Sequence, residues 1–223
     1  MVAVLVLTTL VIFVLVDYYF QRRSPQPVVA ARTAQEREGI PFPIGVVGGF
    51  KLPAHLFYHP GHGWAAREGR QVVRIGLDDF AARLLGQIDQ IELPARGRWL
   101  RQGEKGWALA RGNHRFEMLS PIEGEVVDVN PEVANDPSAL RDDPYGAGWL
   151  LAVHAPAGEA NLKNLLRGRL AQRWMEDSVA TLYSRMDGGT ELHLQDGGRA
   201  IPDILAQVPE DRWEKLVREL FLS

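Results

Sequence analysis

The chain has 223 residues, 46% of them apolar and 24% charged, with no cysteine and a formal net charge of −3. Without cysteine there is no disulfide, thiolate metal site, thiol nucleophile or iron–sulfur cluster, and the apolar content excludes a collagenous or wholly disordered chain. The near-neutral balance also argues against nucleic acid as a partner, since neutralising phosphates needs a basic surface.

The apolar residues are unevenly placed. Val2–Val16 carry no charge, and Tyr18, Tyr19 and Phe20 extend the stretch past Asp17. A helix over residues 2–20 would be ~28 Å long, close to the hydrocarbon thickness of a bilayer. Residues 1–20 are therefore predicted to be a transmembrane anchor, with the two tyrosines at the interface. A small-residue cleavage site can be drawn near Ala30–Ala31, but the basic n-region of a signal peptide is missing. Arg22, Arg23, Arg32 and Arg37 come after the anchor. The positive-inside rule then predicts a single-pass protein of the cell membrane with its C-terminal domain facing the cytoplasm. Residues 21–50 read as a Pro/Gly-rich tether, and Gly45-Val-Val-Gly-Gly49 is no phosphate loop because no Lys-Ser/Thr comes after it.

Over residues 51–156 the pattern becomes short β segments between turns. Val72–Ile75, Ile88–Leu93, Trp107–Ala110, Phe116–Leu119, Glu125–Val129 and Trp149–His154 are the strand candidates, rich in β-branched and aromatic residues. A short helix interrupts them from Asp78 to Leu85, with Asp78 as its cap and Gly86 as its stop. Residues 157–223 form a helical extension. Leu162, Leu166, Leu170, Trp174, Met175, Val179, Leu182 and Met186 predict one long helix, and Pro209–Leu222 a final one. Between them, Glu191–Ile201 reads as a small hairpin around Asp196-Gly197-Gly198.

The β region carries His62-Gly-Trp64, Arg74-Ile-Gly-Leu-Asp-Asp-Phe-Ala81, Leu85-Gly-Gln-Ile88 and Ile91-Glu-Leu-Pro94. It continues through Ser120-Pro-Ile-Glu-Gly-Glu-Val-Val-Asp-Val-Asn130, Asn135-Asp-Pro137 and Asp143-Pro-Tyr-Gly-Ala-Gly-Trp-Leu150. In these motifs and their order the region resembles the H protein of the glycine cleavage system, the lipoyl carrier of that pathway. The resemblance implies a mainly β fold, a lipoyl-type barrel sandwich of two short sheets with a helical extension. It also implies a lysine at the tip of a β-hairpin, carrying lipoate on its ε-amine. In this chain that position falls on Asn113, within Ala110-Arg-Gly-Asn-His-Arg115. A carboxamide cannot take the amide bond, so lipoate, the cofactor expected of the family, has no attachment point there. The other lysines, Lys51, Lys105, Lys163 and Lys215, lie away from the tip in sequence. Gly112-Asn113 remains a pair of residue types that tolerate the positive φ of tight hairpin turns.

Arg111, His114 and Arg115 make the tip cationic, so Arg111, Gly112, His114 and Arg115 are candidates for contact with an acidic partner, against the alternative of a solvated turn. His55, His59 and His62 have helical spacing, but Pro60-Gly61 breaks such a helix and no carboxylate completes a metal set. Asp142 and Asp143 before Pro144 suit a turn rather than paired acids. Arg167, Arg169 and Arg173 share one side of the long helix, either meeting anionic lipid or solvated. No residue is assigned a catalytic or metal-binding role. The expectation is a non-enzymatic, membrane-tethered docking or scaffold module with a protein partner. The alternative is a genuine H protein carrying an aminomethyl group between the enzymes of glycine cleavage.

Overall fold

A computed structural model of the protein describes residues 44–186 and 203–221. The expected anchor, most of the tether and the Glu191–Ile201 hairpin lie outside the described residues. Among those described, no helix is long and apolar enough to cross a membrane.

The first strands are β1 (Ile44–Val47) and β2 (Phe50–Pro53), an antiparallel ribbon in which Val47 faces Phe50. Gly48 and Gly49 between them have φ of 56° and 87°, as a two-residue hairpin turn of the I′ kind demands. These residues end the stretch expected to be a tether. Its glycines do not loosen the chain at this point; they close a turn.

Next come β3 (Phe57–Tyr58), β4 (Gly63–Arg67) and β5 (Val72–Leu77), then helix α1 (Asp79–Leu85). The chain continues through β6 (Gln90–Glu92), β7 (Trp99–Leu100), β8 (Lys105–Arg111), β9 (His114–Leu119) and β10 (Gly124–Val129). Two short helices, α2 (Pro131–Asn135) and α3 (Ser138–Asp142), lead to β11 (Trp149–His154). All strand pairs are antiparallel, and they form a six-stranded sheet ordered β3-β4-β5-β11-β10-β7 and a three-stranded sheet ordered β6-β8-β9. Trp64, Ile75, Leu77, Leu109, Met118 and Leu151 from both sheets meet in one core with Ile122 of the β9–β10 connection and Phe50 of the ribbon. Sheets of six and three strands with a separate ribbon replace the two short sheets expected.

The anticipated single helix over 162–186 is in fact two. Helix α4 (Gly158–Lys163) stops, and α5 (Arg169–Met186) starts after Gly168, whose φ is 56°. In the gap, Leu166 leaves helical geometry to exchange backbone hydrogen bonds with Tyr58, at 2.9 and 2.8 Å. Leu170, expected on the apolar face, is 65% exposed, whereas Met175, Val179 and Leu182 are buried. The final helix, α6 (Trp213–Phe221), comes after two short 3-10 turns and buries Leu216, Val217, Leu220 and Phe221.

One buried pair ties these elements together. The Asp78 carboxylate accepts the Ala81 N–H of α1 at 2.8 Å with one oxygen and meets His62 Nδ1 at 2.8 Å with the other. Both residues are fully buried. His62, with φ 61°, stacks on Phe80 at 4.3 Å between ring centroids and touches the rings of Trp174 on α5 and Phe221 on α6. Removing the carboxylate strips α1 of its cap and leaves His62 Nδ1 without its partner. Asp78→Ala is expected to lower stability by about 2–4 kcal/mol, read from the urea midpoint. Asp78→Asn, which keeps the side-chain shape and one acceptor oxygen, should lose about half as much.

Candidate functional site

Strands β8 and β9 pair down to Arg111 opposite His114, which leaves Gly112 and Asn113 as the hairpin tip. Gly112 has a φ of 56°, and the non-glycine residues with positive φ among those described are His62 and Asp203. The left-handed conformation is therefore demanded of Gly112 alone, as in a turn with glycine at its first central position. Both tip residues are exposed, and the Gly112 N–H donates to Asp89 Oδ2 at 2.6 Å. Asn113 presents a carboxamide where an acylation would need an amine, so the tip does not fit lipoate as a covalent passenger. Lys105 sits at the other end of β8, opposite Leu119, and its ammonium is ion-paired with Glu117.

Arg111, His114 and Arg115 beside the tip each have acidic neighbours within the chain. Arg111 grips the Asp203 carboxylate with both arms of its guanidinium, at 2.6 and 3.1 Å, and also donates to the Leu85 carbonyl at the end of α1. Its guanidinium carbon lies 4.6 Å from the centre of the Trp213 ring. Asp203 is seated in turn by its own N–H and that of Ile204, both donating to the Arg83 carbonyl at 3.1 Å. Gly86 makes room for it: a Cβ there would fall 2.2 Å from the Asp203 carboxyl carbon. His114 lies with Nε2 2.9 Å from Glu210 and its ring 5.2 Å from that of Trp213, and Glu214 is 3.7 Å from Nδ1. Arg115 points to the other side, donating to Glu92 at 2.8 and 3.2 Å and to Glu117 at 2.7 Å. Arg115 holds the Glu92 carboxyl below its usual range, while Lys105 first and Arg115 second do the same for Glu117. The same two acids raise the Arg115 guanidinium.

The candidate contact residues Arg111, Gly112, His114 and Arg115 are thus brought together, but on opposite flanks of the hairpin. Arg111 and His114 face the segment 203–214, which sequence reasoning had not connected to the tip. The available signal was the set of acids Asp203, Glu210 and Glu214 late in the sequence, opposite in charge to the arginines of the hairpin.

The remaining candidates separate. His59 Nδ1 accepts the Gly61 N–H at 3.0 Å, while His62 is engaged with Asp78. Burial lowers the His59 and His55 pKa values, with His62 adding to the effect at His59. Among the described residues no group of three His, Asp or Glu could hold a metal ion. The His62–Asp78 pair has an acid–base look, yet its Nε2 has no hydrogen-bond partner and the ring is walled by aromatic residues. Asp143 accepts the N–H groups of Gly146 and Ala147 at 3.1 and 2.8 Å and so shapes a turn, and Asp142 pairs with Arg141. Arg167 lies over the Phe57 ring at 5.1 Å, and Arg169 and Arg173 are exposed.

Comparison with known proteins is consistent in direction. Residues 56–178 match the family model described as glycine cleavage H-protein. The glycine cleavage system H protein of Magnetococcus marinus is 34% identical over 125 residues, covering 56% of this chain and 88% of that relative. That of Laribacter hongkongensis is 39% identical over 113 residues, 50% of this chain and 89% of the relative. Among solved structures, a glycine cleavage system H protein from Mycobacterium marinum is similar with a TM-score of 0.45 and 29% identity, covering 48% of this chain and 88% of that one.

The ladder on the Arg115 flank makes its acids sensitive to one cation. Because the folded state lowers both carboxyls, each contributes stability above the ordinary glutamate range and loses it as acid titrates through the lowered value. Carboxyl NMR titration should therefore place Glu92 and Glu117 below a free glutamate. Arg115→Ala should return Glu92 to the ordinary range and Glu117 only partway, since Lys105 still holds it.

Proposed function

This chain belongs to the glycine cleavage H-protein family, and from that membership we propose that it is a non-lipoylated, membrane-tethered member serving as a docking module rather than as a carrier. The observation that carries the proposal is Asn113 at the tip of the β8–β9 hairpin. Counting along the family motifs puts the carrier lysine at this position, and a carboxamide has no nucleophilic amine to acylate. Lys105 is no substitute. It is separated from the tip by the length of β8 at about 3.3 Å per residue, and is tied to Glu117.

Loss of the lysine leaves the hairpin fold intact. Gly112 supplies the turn, and the paired strands and buried Phe116 and Met118 keep it upright. A preserved shape without its chemistry suits recognition by a protein that reads the carrier fold: an H-protein-recognising enzyme, a lipoate-handling protein or a membrane complex. The apolar residues 2–20 support attachment to a membrane, with the domain on the cytoplasmic side on the strength of Arg22, Arg23, Arg32 and Arg37. Family membership by itself favours a second reading, a true H protein passing an aminomethyl group between the glycine cleavage enzymes, and that role requires a lipoyl arm.

Intact mass after co-expression with a lipoate ligase separates the two. The native chain is expected to carry no lipoyl adduct, and an adduct would overturn the proposal in favour of the carrier. Asn113→Lys restores the amine and is expected to be partly lipoylated.

A further inference from the structure

The family match ends at residue 178, and the segment 203–221 beyond it folds back onto the hairpin. Asp203 fills the fork of Arg111, Glu210 and Glu214 flank His114, and Trp213 lies against both the Arg111 guanidinium and the His114 ring. Behind this acidic start, α6 turns Leu216, Val217, Leu220 and Phe221 inward. The hairpin flank thus offers a cationic rim and an apolar floor including Phe116, and the segment answers with an acidic turn and an amphipathic helix. The fit is of the helix-in-groove kind, with charge setting the register.

We propose that this flank of the hairpin is a receptor for an amphipathic helix led by an acidic turn, and that residues 203–221 occupy it in cis as a built-in competitor for any partner helix of the same chemistry. The inference rests on the reading of the hairpin as a docking face. Covalent attachment gives the segment a high effective concentration over its receptor. Its rim contacts are nevertheless modest individually, because Glu210 and Glu214 are 69% and 68% exposed.

A fluorescently labelled peptide of residues 203–221 tests this against the full-length protein. The native chain should bind it weakly, because the site is filled. The variant Asp203→Asn/Glu210→Gln/Glu214→Gln weakens the cis contact without touching the receptor. It should bind the peptide at least about tenfold more tightly, the tether's advantage having been reduced. Adding Arg111→Ala should abolish that gain. Equal affinity for the native and triple-variant chains, or binding to neither, would overturn the proposal. So would equally tight binding of a peptide carrying the same three amide replacements. Should the triple variant not fold, Asp203→Asn alone serves, with a smaller gain expected. Failure of the docking reading appears separately, as a lipoyl adduct on the native chain.

Discussion

A single buried carboxylate sets the position of nearly everything around the hairpin. Asp78 divides its two oxygens between the first turn of α1 and the ring of His62. That division fixes where α1 begins relative to β4, and the imidazole it orients becomes the aromatic platform for Phe80, Trp174 and Phe221. The consequence runs to the far end of the same helix. With its start pinned, α1 delivers the Arg83 and Leu85 carbonyls to fixed places, where they receive the backbone of Asp203 and the guanidinium of Arg111. Carbonyls left over at a helix C-terminus need donors, and here they draw in the tail and the hairpin together.

The hairpin itself separates shape from chemistry. Its turn depends on Gly112 and on strand pairing, neither of which involves the side chain at the tip. The flanks differ in kind. Arg115, Glu92, Glu117 and Lys105 form a solvated ladder across the strands, where screening keeps each pair weak. Arg111, only 15% exposed in its side chain, is enclosed by Asp203, Leu85 and Trp213. A bidentate pair in that setting is worth more than one in water.

Features carried by a few adjacent residues were legible in the sequence. Asp78 capping α1, Gly86 ending it, the two-residue tip and the apolar stripe of α6 all depend on neighbours within one turn of chain. Features decided by distant partners were not. The 3.6-residue spacing of leucines ran on through Leu166 and Leu170, yet pairing with Tyr58 and the backbone of Gly168 cut that helix in two. Strand β1 hid within a glycine-rich stretch, since the same residues that suggest slack also build the tightest turns. The cations at the tip looked solvent-facing because the acids that meet them stand far along the chain, Asp203 lying 92 residues after Arg111.

Placing the whole left-handed demand on Gly112 leaves position 113 free of any backbone requirement. An asparagine codon differs from a lysine codon only at its third base. A lysine at the tip is thus one nucleotide away and needs no change of backbone conformation. Freeing the Arg111 and His114 flank of the tail would instead mean replacing contacts made by Asp203, Glu210, Trp213 and Glu214 at separate positions.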